Sequence, residues 1–220
     1  AETRSFKPVS HYELALNIAR VAGDLLSEFT LKNSFYGTAR NGSQLFGVHT
    51  FQNSNTELGL SIAFRNALDK SLSIGMAFGA SVFVCDNLAL YGDVVKFRKH
   101  TTNVLQDLEE MILTGVYRAR TSFIHAVDDA NEMKQILISN DGAYRALGHL
   151  FGHNVLSPRQ MPVALKEWHE PSHVAFEDRS LWSLYNAVTE ALKSSPPQNI
   201  LERHLQLHAH FLPNQERWSA

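Results

Sequence analysis

Apolar residues recur at helical spacing near the start of the chain, at Leu14, Ile18, Val21, Leu25 and Phe29, which predicts an amphipathic helix over residues 10 to 29. Ser10 and Glu13 open it as a capping box: the serine oxygen accepts from a free helix N–H, and the glutamate reaches back to the cap. Gly23 is its weak point. From Thr30 to Val95 the period shortens, and brief runs of Phe, Val, Leu and Ile alternate with turn signals. Asn41-Gly42 suits a type I′ hairpin because both residues tolerate positive φ. Further breaks fall at Asn53-Ser54-Asn55, Asp69-Lys70-Ser71, Asp86-Asn87 and Gly92-Asp93, so about five short antiparallel strands are predicted between residues 30 and 95.

After His100 the pattern becomes helical. Thr102 can cap a helix whose Val104, Leu105, Leu108, Met111, Ile112 and Val116 form one stripe, and separate segments follow near residues 128 to 139 and 141 to 152. Pro158 and Pro162 punctuate the next connection, and Pro171 is expected at the first turn of another helix. Leu181, Leu184, Tyr185, Val188 and Leu192 describe an amphipathic helix that stops before Ser194-Ser195-Pro196-Pro197, and a last helix runs from about Asn199 to Phe211. Residues 102 to 211 are therefore mainly helical. Strands first and helices after predict a single α+β domain over residues 1 to 220, with an antiparallel sheet in its N-terminal half. Lys32-Asn33-Ser34 and Arg65-Asn66-Ala67 resemble one another 33 residues apart, but a single recurrence does not make a solenoid.

Composition sharpens this picture mainly by exclusion. With 44% hydrophobic and 19% charged residues, a chain of 220 has the make-up and length of a folded soluble protein. A net charge of -2 gives no overall attraction to polyanions, so any such contact must be a local patch. Cys85 is the only cysteine and cannot form an internal disulfide, and residues 1 to 10 carry no secretory pattern, so a cytoplasmic setting is expected. The longest apolar run, Ile74 to Cys85, is interrupted by Gly75, Gly79 and Ser81 and falls far short of the about 20 residues that span a bilayer. No membrane partner is expected.

The densest basic segment is Lys96-Phe97-Arg98-Lys99-His100. On a strand Lys96, Arg98 and His100 share one face and can follow a phosphate backbone, with aromatic stacking elsewhere on the sheet. Lys96, Arg98, Lys99, His100 and Arg65 are thus the candidate nucleic-acid contacts, and single-stranded nucleic acid is the expected partner. The bland alternative is a solvated strand end whose lysines discourage edge pairing. Gly75 and Gly79, with Ser71, Ser73 and Ser81, suit a close backbone approach, but no phosphate-loop or dinucleotide fingerprint accompanies them. Cys85 reads as a small buried hydrophobe, Asp86-Asn87 as an Asx turn, Trp182 and Tyr185 as core, and Trp218 as a docking residue.

Histidine is enriched, with 11 in the chain, and pairs stand four apart at His149/His153, His169/His173 and His204/His208. On a helix such pairs can share a metal. His169-Glu170-Pro171-Ser172-His173 satisfies the zinc-peptidase HExxH pattern, but that chemistry needs a continuous helix and Pro171 removes an N–H and clashes with the preceding turn. No zinc-peptidase site, and no cofactor, is expected there. His149, His153, Glu177, His204 and His208 can still meet through tertiary folding.

Residues 64 to 101 carry a resemblance. Phe64-Arg65-Asn66-Ala67-Leu68-Asp69-Lys70-Ser71 is followed by Gly75, Gly79, the run Val82-Phe83-Val84-Cys85-Asp86-Asn87-Leu88-Ala89-Leu90 and the basic close up to Thr101. This stretch resembles the phage/plasmid-like proteins of unknown function met on prophages, plasmids and other mobile elements. Leu31-Lys32-Asn33-Ser34 and Leu181 to Lys193 extend the likeness, which covers most of residues 25 to 210. Ala67 stands where many members have serine, which argues against a nucleophile there. The family supplies no catalytic residues. The resemblance implies a mobile-element setting and, with the basic strand, a non-enzymatic nucleic-acid-binding accessory in DNA recombination, replication or element protection. The rival expectations are a metal-dependent hydrolase built from paired histidines, and a protein-binding module that acts on a host factor or self-assembles as an oligomer.

Overall fold

The computed structural model describes residues 8–53, 57–96 and 104–212, with the backbone alone for 93–96, 104–107 and 111. Helix α1 (His11–Leu25) opens the chain, and Ser10 Oγ accepts from the Glu13 N–H as the capping pattern requires. Five strands follow, β1 (Thr30–Ala39), β2 (Gln44–Gln52), β3 (Leu58–Ala67), β4 (Gly75–Val82) and β5 (Asn87–Lys96). They form one antiparallel sheet, as predicted, and its strands are arranged as a meander in sequence order. The helical half comprises α2 (Val104–Gln135), α3 (Asn140–Gly152), α4 (Met161–His169), α5 (Leu181–Leu192) and α6 (Ile200–Phe211), with a 3-10 turn at Val174–Phe176. Among the described residues, no helix is long and apolar enough to cross a membrane.

The sheet is covered on both faces. Every residue of β3 is buried. Leu60, Ile62 and Phe64 belong to the main core together with Ile18 of α1 and Ile112 and Val116 of α2. Ala63, pointing the other way, joins Val48, Ala77, Leu90, Ile200 and Leu201 in a second cluster beneath α6. Polar groups tie the helices down. His49 of β2 bridges Ser34 Oγ at 2.8 Å and the Ala15 carbonyl at 3.0 Å, so Nε2 carries the proton and joins α1 to the sheet. Trp182 and Tyr185 are buried and stack on each other with centroids 5.2 Å apart.

Several local expectations meet a different outcome. Asn41 and Gly42 do take positive φ, 53° and 80°, with the Ser43 N–H donating to the Arg40 carbonyl at 3.1 Å. Gly92-Asp93, by contrast, does not end a strand: β5 runs through it, and the register shift opposite Met76 and Phe78 makes it a bulge that uses the positive φ of Gly92, 81°. The segment near 128 to 139 is not a separate helix; α2 continues unbroken to Gln135. Pro158 and Pro162 do not merely punctuate a connection, because Pro162 stands in the first turn of α4, where its missing N–H costs nothing. Pro171 occupies the loop after α4 and not the first turn of a helix. Arg65-Asn66-Ala67 forms the end of β3. Thr102 and Trp218 lie outside the described residues.

Backbone proximity makes one glycine indispensable. A Cβ on Gly79 would sit 2.0 Å from the Ala89 carbonyl oxygen and 2.8 Å from the Leu90 Cα, both backbone atoms that cannot step aside. A Cβ on Gly23 of α1 would meet nothing within 4 Å. We expect Gly79→Ala to destabilise by about 3 kcal/mol, lowering Tm by roughly 6–12 °C, and Gly23→Ala to stabilise by up to about 1 kcal/mol. Thermal denaturation followed by circular dichroism checks both; equal Tm values for the two variants would contradict this packing.

Candidate functional site

Arg65, expected on a nucleic-acid face, is buried in β3 and points to α6. Its Nη1 donates to Glu202 Oε2 at 2.6 Å and to the Gln198 carbonyl at 2.8 Å. Its charge is met within the fold. Lys96 closes β5 opposite Gly75, while Arg98, Lys99 and His100 lie outside the described residues. Cys85 is buried, and desolvation pushes its thiol up to about 11, consistent with a small hydrophobe and not a nucleophile.

A cleft of about 430 Å³ opens on the sheet face that carries α6. The meander exposes this face beyond the helix, so Phe35 of β1 and Phe46 and Val48 of β2 form one wall, and Leu88 of β5 and Ile200 of α6 form the other. The rim is built by Asp86 in the turn before β5 and Asn87 at that strand's start, and by the end of α5 and the α5–α6 connection, with Thr189, Lys193 and Ser195. Five separate segments therefore meet there, which no local sequence pattern announces.

The polar groups of the cleft are arranged as neutral hydrogen-bonding sites. His204 of α6 is buried, and its Nδ1 faces the Leu88 carbonyl at 3.2 Å. A carbonyl only accepts, so Nδ1 carries the proton and Nε2 keeps its lone pair. Burial, opposed by that hydrogen bond, lowers the imidazole to about 4, which keeps it neutral. The Asn87 amide nitrogen is held by Asn186, at 3.2 Å from its carbonyl and 3.1 Å from its Oδ1, whereas Asn87 Oδ1 has no partner. On the rim, Lys193 Nζ donates to the Cys85 carbonyl at 2.6 Å and to Glu190 at 2.5 Å, so its charge is met by Glu190 and the Asp86 carboxylate stands in addition to that pair. Burial raises the Asp86 carboxyl above its ordinary value, with Lys193 pulling the other way. Such a cleft offers apolar walls and hydrogen-bond acceptors to a ligand.

The three histidine pairs have different fates. His169 ends α4 and meets Tyr144 Oη at 3.1 Å, while His173 lies beyond Pro171, before the 3-10 turn. The two do not share a helix, so the HExxH arrangement is not built. His204 and His208 are both buried but separate: His204 faces the cleft, and His208 Nε2 meets Asp129 Oδ2 of α2 at 2.9 Å. His149 and His153 stay together at the end of α3 and are joined by His210 of α6. Sequence spacing identified the pair and missed the third member, 61 positions away in the chain.

The model of one protein family, described as Domain of unknown function (DUF932), matches residues 10–206, from the cap of α1 into α6. No curated protein and no solved structure matches the chain.

Burial of neutral histidine sets a pH dependence with a definite sign. His204 titrates near 4 in the fold against an ordinary value of 6.5, and His49 is also lowered by burial. The unfolded chain therefore binds more protons between these values, so the stability is fully present above about pH 6.5 and is lost as pH falls toward 4. His204 alone accounts for a loss on the order of 3 kcal/mol. Urea denaturation at pH 7.0 and 4.5 should show this loss, and His204→Gln should shrink it; an unchanged difference would remove His204 as its source.

Proposed function

We propose that this chain, which belongs to the family described as Domain of unknown function (DUF932), is a non-enzymatic nucleic-acid-binding accessory whose sheet–helix cleft takes an unpaired nucleobase. The observation that carries the reading is the cleft itself: aromatic walls at Phe35 and Phe46 and a neutral imidazole acceptor at His204. A base stacks on an aromatic ring whatever its identity, and its amino and imino groups supply donors for the acceptors of the cleft. Duplex DNA hides these edges in its stack, so a single strand is the expected form. With Arg65 held by Glu202, the phosphate contacts fall to Lys96, Arg98, Lys99 and His100. The setting inferred from the resemblance to phage/plasmid-like proteins is DNA recombination, replication or protection of a mobile element.

A second reading, self-assembly, is favoured by one observation. Among the described residues, β1 is a terminal strand that pairs only with β2, and it exposes Leu31, Phe35 and Tyr36. An unpaired strand edge of this kind is a template for another chain, although the register shift at Leu31 and Asn33 interrupts it.

Fluorescence anisotropy with a labelled oligothymidylate and a duplex of equal length tests the proposal at low and high salt. We expect the single strand to be preferred, and Phe46→Ala to weaken it by roughly 5- to 150-fold, the worth of one stacked base. Replacing Lys96, Arg98 and Lys99 with Ala should flatten the salt dependence while leaving discrimination against duplex intact. No binding of the single strand at low salt would overturn the reading, as would binding indifferent to Phe46. Light scattering after size-exclusion chromatography then decides the second reading, which a strict monomer would exclude.

A further inference from the structure

We propose that His149, His153 and His210 bind one divalent transition-metal ion of the imidazole-preferring class, with zinc as the physiological candidate. The ligand nitrogens of the three rings all lie within 4.8 Å of one another. Ring centroids are separated by 4.4 Å for His149 and His153, 5.3 Å for His149 and His210, and 5.1 Å for His153 and His210. Nitrogens around tetrahedral zinc stand about 3.4 Å apart, given Zn–N bonds near 2.05 Å. Side-chain rotations that close the largest separation by about 1.4 Å therefore suffice, and His149 and His153 are exposed enough to make them.

Three features make this more than proximity. The first is local periodicity. His149 stands in the last turn of α3 and His153 is its C-cap, with the His153 N–H bonded to the His149 carbonyl at 3.0 Å, so the two side chains rise from one helical turn. The second is an outer hydrogen bond. His210 Nδ1 lies 2.7 Å from the Gln206 carbonyl, which can only accept, so Nδ1 carries the proton and Nε2 is left as the ligand atom. The third is the backbone field. His149 and His210 stand in the last turns of α3 and α6, so two helix C-termini, each carrying partial negative charge, meet at the same point. That field favours a cation.

Three neutral imidazoles suit zinc, cobalt, nickel or copper better than magnesium or calcium, which prefer oxygen. No Asp or Glu among the described residues joins the group, so at least one coordination position remains for water or an outside ligand. The site shares no residue with the cleft, and its test is independent of nucleic-acid binding.

The experiment uses tag-free full-length protein, stripped with chelator and titrated with Zn²⁺ against a chromophoric competitor, with Co²⁺ absorption as a report of geometry. We expect one ion per chain, an increase in Tm on loading, and affinity lower by about tenfold or more in His210→Ala. The His149→Ala/His153→Ala double variant should lose binding, and His125→Ala, on the exposed side of α2, should leave it unchanged. Imidazole resonances of the wild-type protein give a readout that needs no variant: zinc should shift three histidines and spare the rest. Absence of stoichiometric zinc, binding that survives loss of all three residues, or shifts on other histidines would overturn the proposal.

Discussion

The ion pair between Arg65 and Glu202 is the contact on which the arrangement of both candidate sites depends. β3 is buried from end to end, so it requires cover on both faces, and α6 is the cover on the second. Apolar contacts between Ile200, Leu201 and Leu90 attract the helix to the sheet, but they are non-directional. A guanidinium is directional. Arg65 Nη1 holds both the Glu202 carboxylate and the Gln198 carbonyl, one on the helix and one just before it, which fixes where α6 begins over the sheet. Buried pairs of this kind contribute little net stability against an apolar replacement, yet removal of one partner strands the other charge. Arg65 Nε, buried and without a hydrogen-bond partner, shows that the fold already accepts a desolvation cost for this placement.

With α6 so placed, its histidines become a series of fasteners with distinct partners. His204 bonds to the Leu88 carbonyl of β5. His208 bridges Tyr185 Oη of α5 at 3.4 Å and Asp129 of α2 at 2.9 Å. Imidazole suits these places because it has an apolar body with polar groups on opposite sides, so it can cross a packed interface and satisfy a buried group beyond it. Much of the histidine enrichment is thus structural. Among the described residues of α6, it is His210 at its end, beside α3, that meets other histidines.

The sheet-then-helix order was legible in the sequence because the hydrophobic period changes from about two to about 3.6 near residue 100. The errors have local causes. Pro162 looked like a breaker because a proline is ambiguous between ending one helix and beginning the next, and only the following Val163 to His169 resolves it. Gly92 looked like a turn because the same positive φ serves a turn and a bulge. Arg65 looked like a surface cation because its counter-ion lies 137 residues away. The cleft was invisible for the same reason: its parts come from β1, β2, β4 to β5, α5 and α6, and no one of them carries a motif. Family membership extends this limit, since the matched family is defined by its sequence and not by a chemistry.

The same helix carries His204 into the cleft and His210 to the histidine cluster, six residues or roughly 9 Å apart along its axis. A shared element alone does not couple two sites; coupling requires that occupancy at one change the conformational equilibrium felt at the other. Here α6 is held near its start by Arg65 and at His208 by Asp129 and Tyr185, so a shift that transmitted one event to the other would have to break contacts on three different elements. The proposed closing of three imidazoles around an ion calls for side-chain rotation at exposed His149 and His153, and the lining of the cleft includes none of Arg65, Glu202 and His208. The anchors that position the two sites also separate them, so the proposed metal and the proposed nucleobase are expected to bind independently of one another.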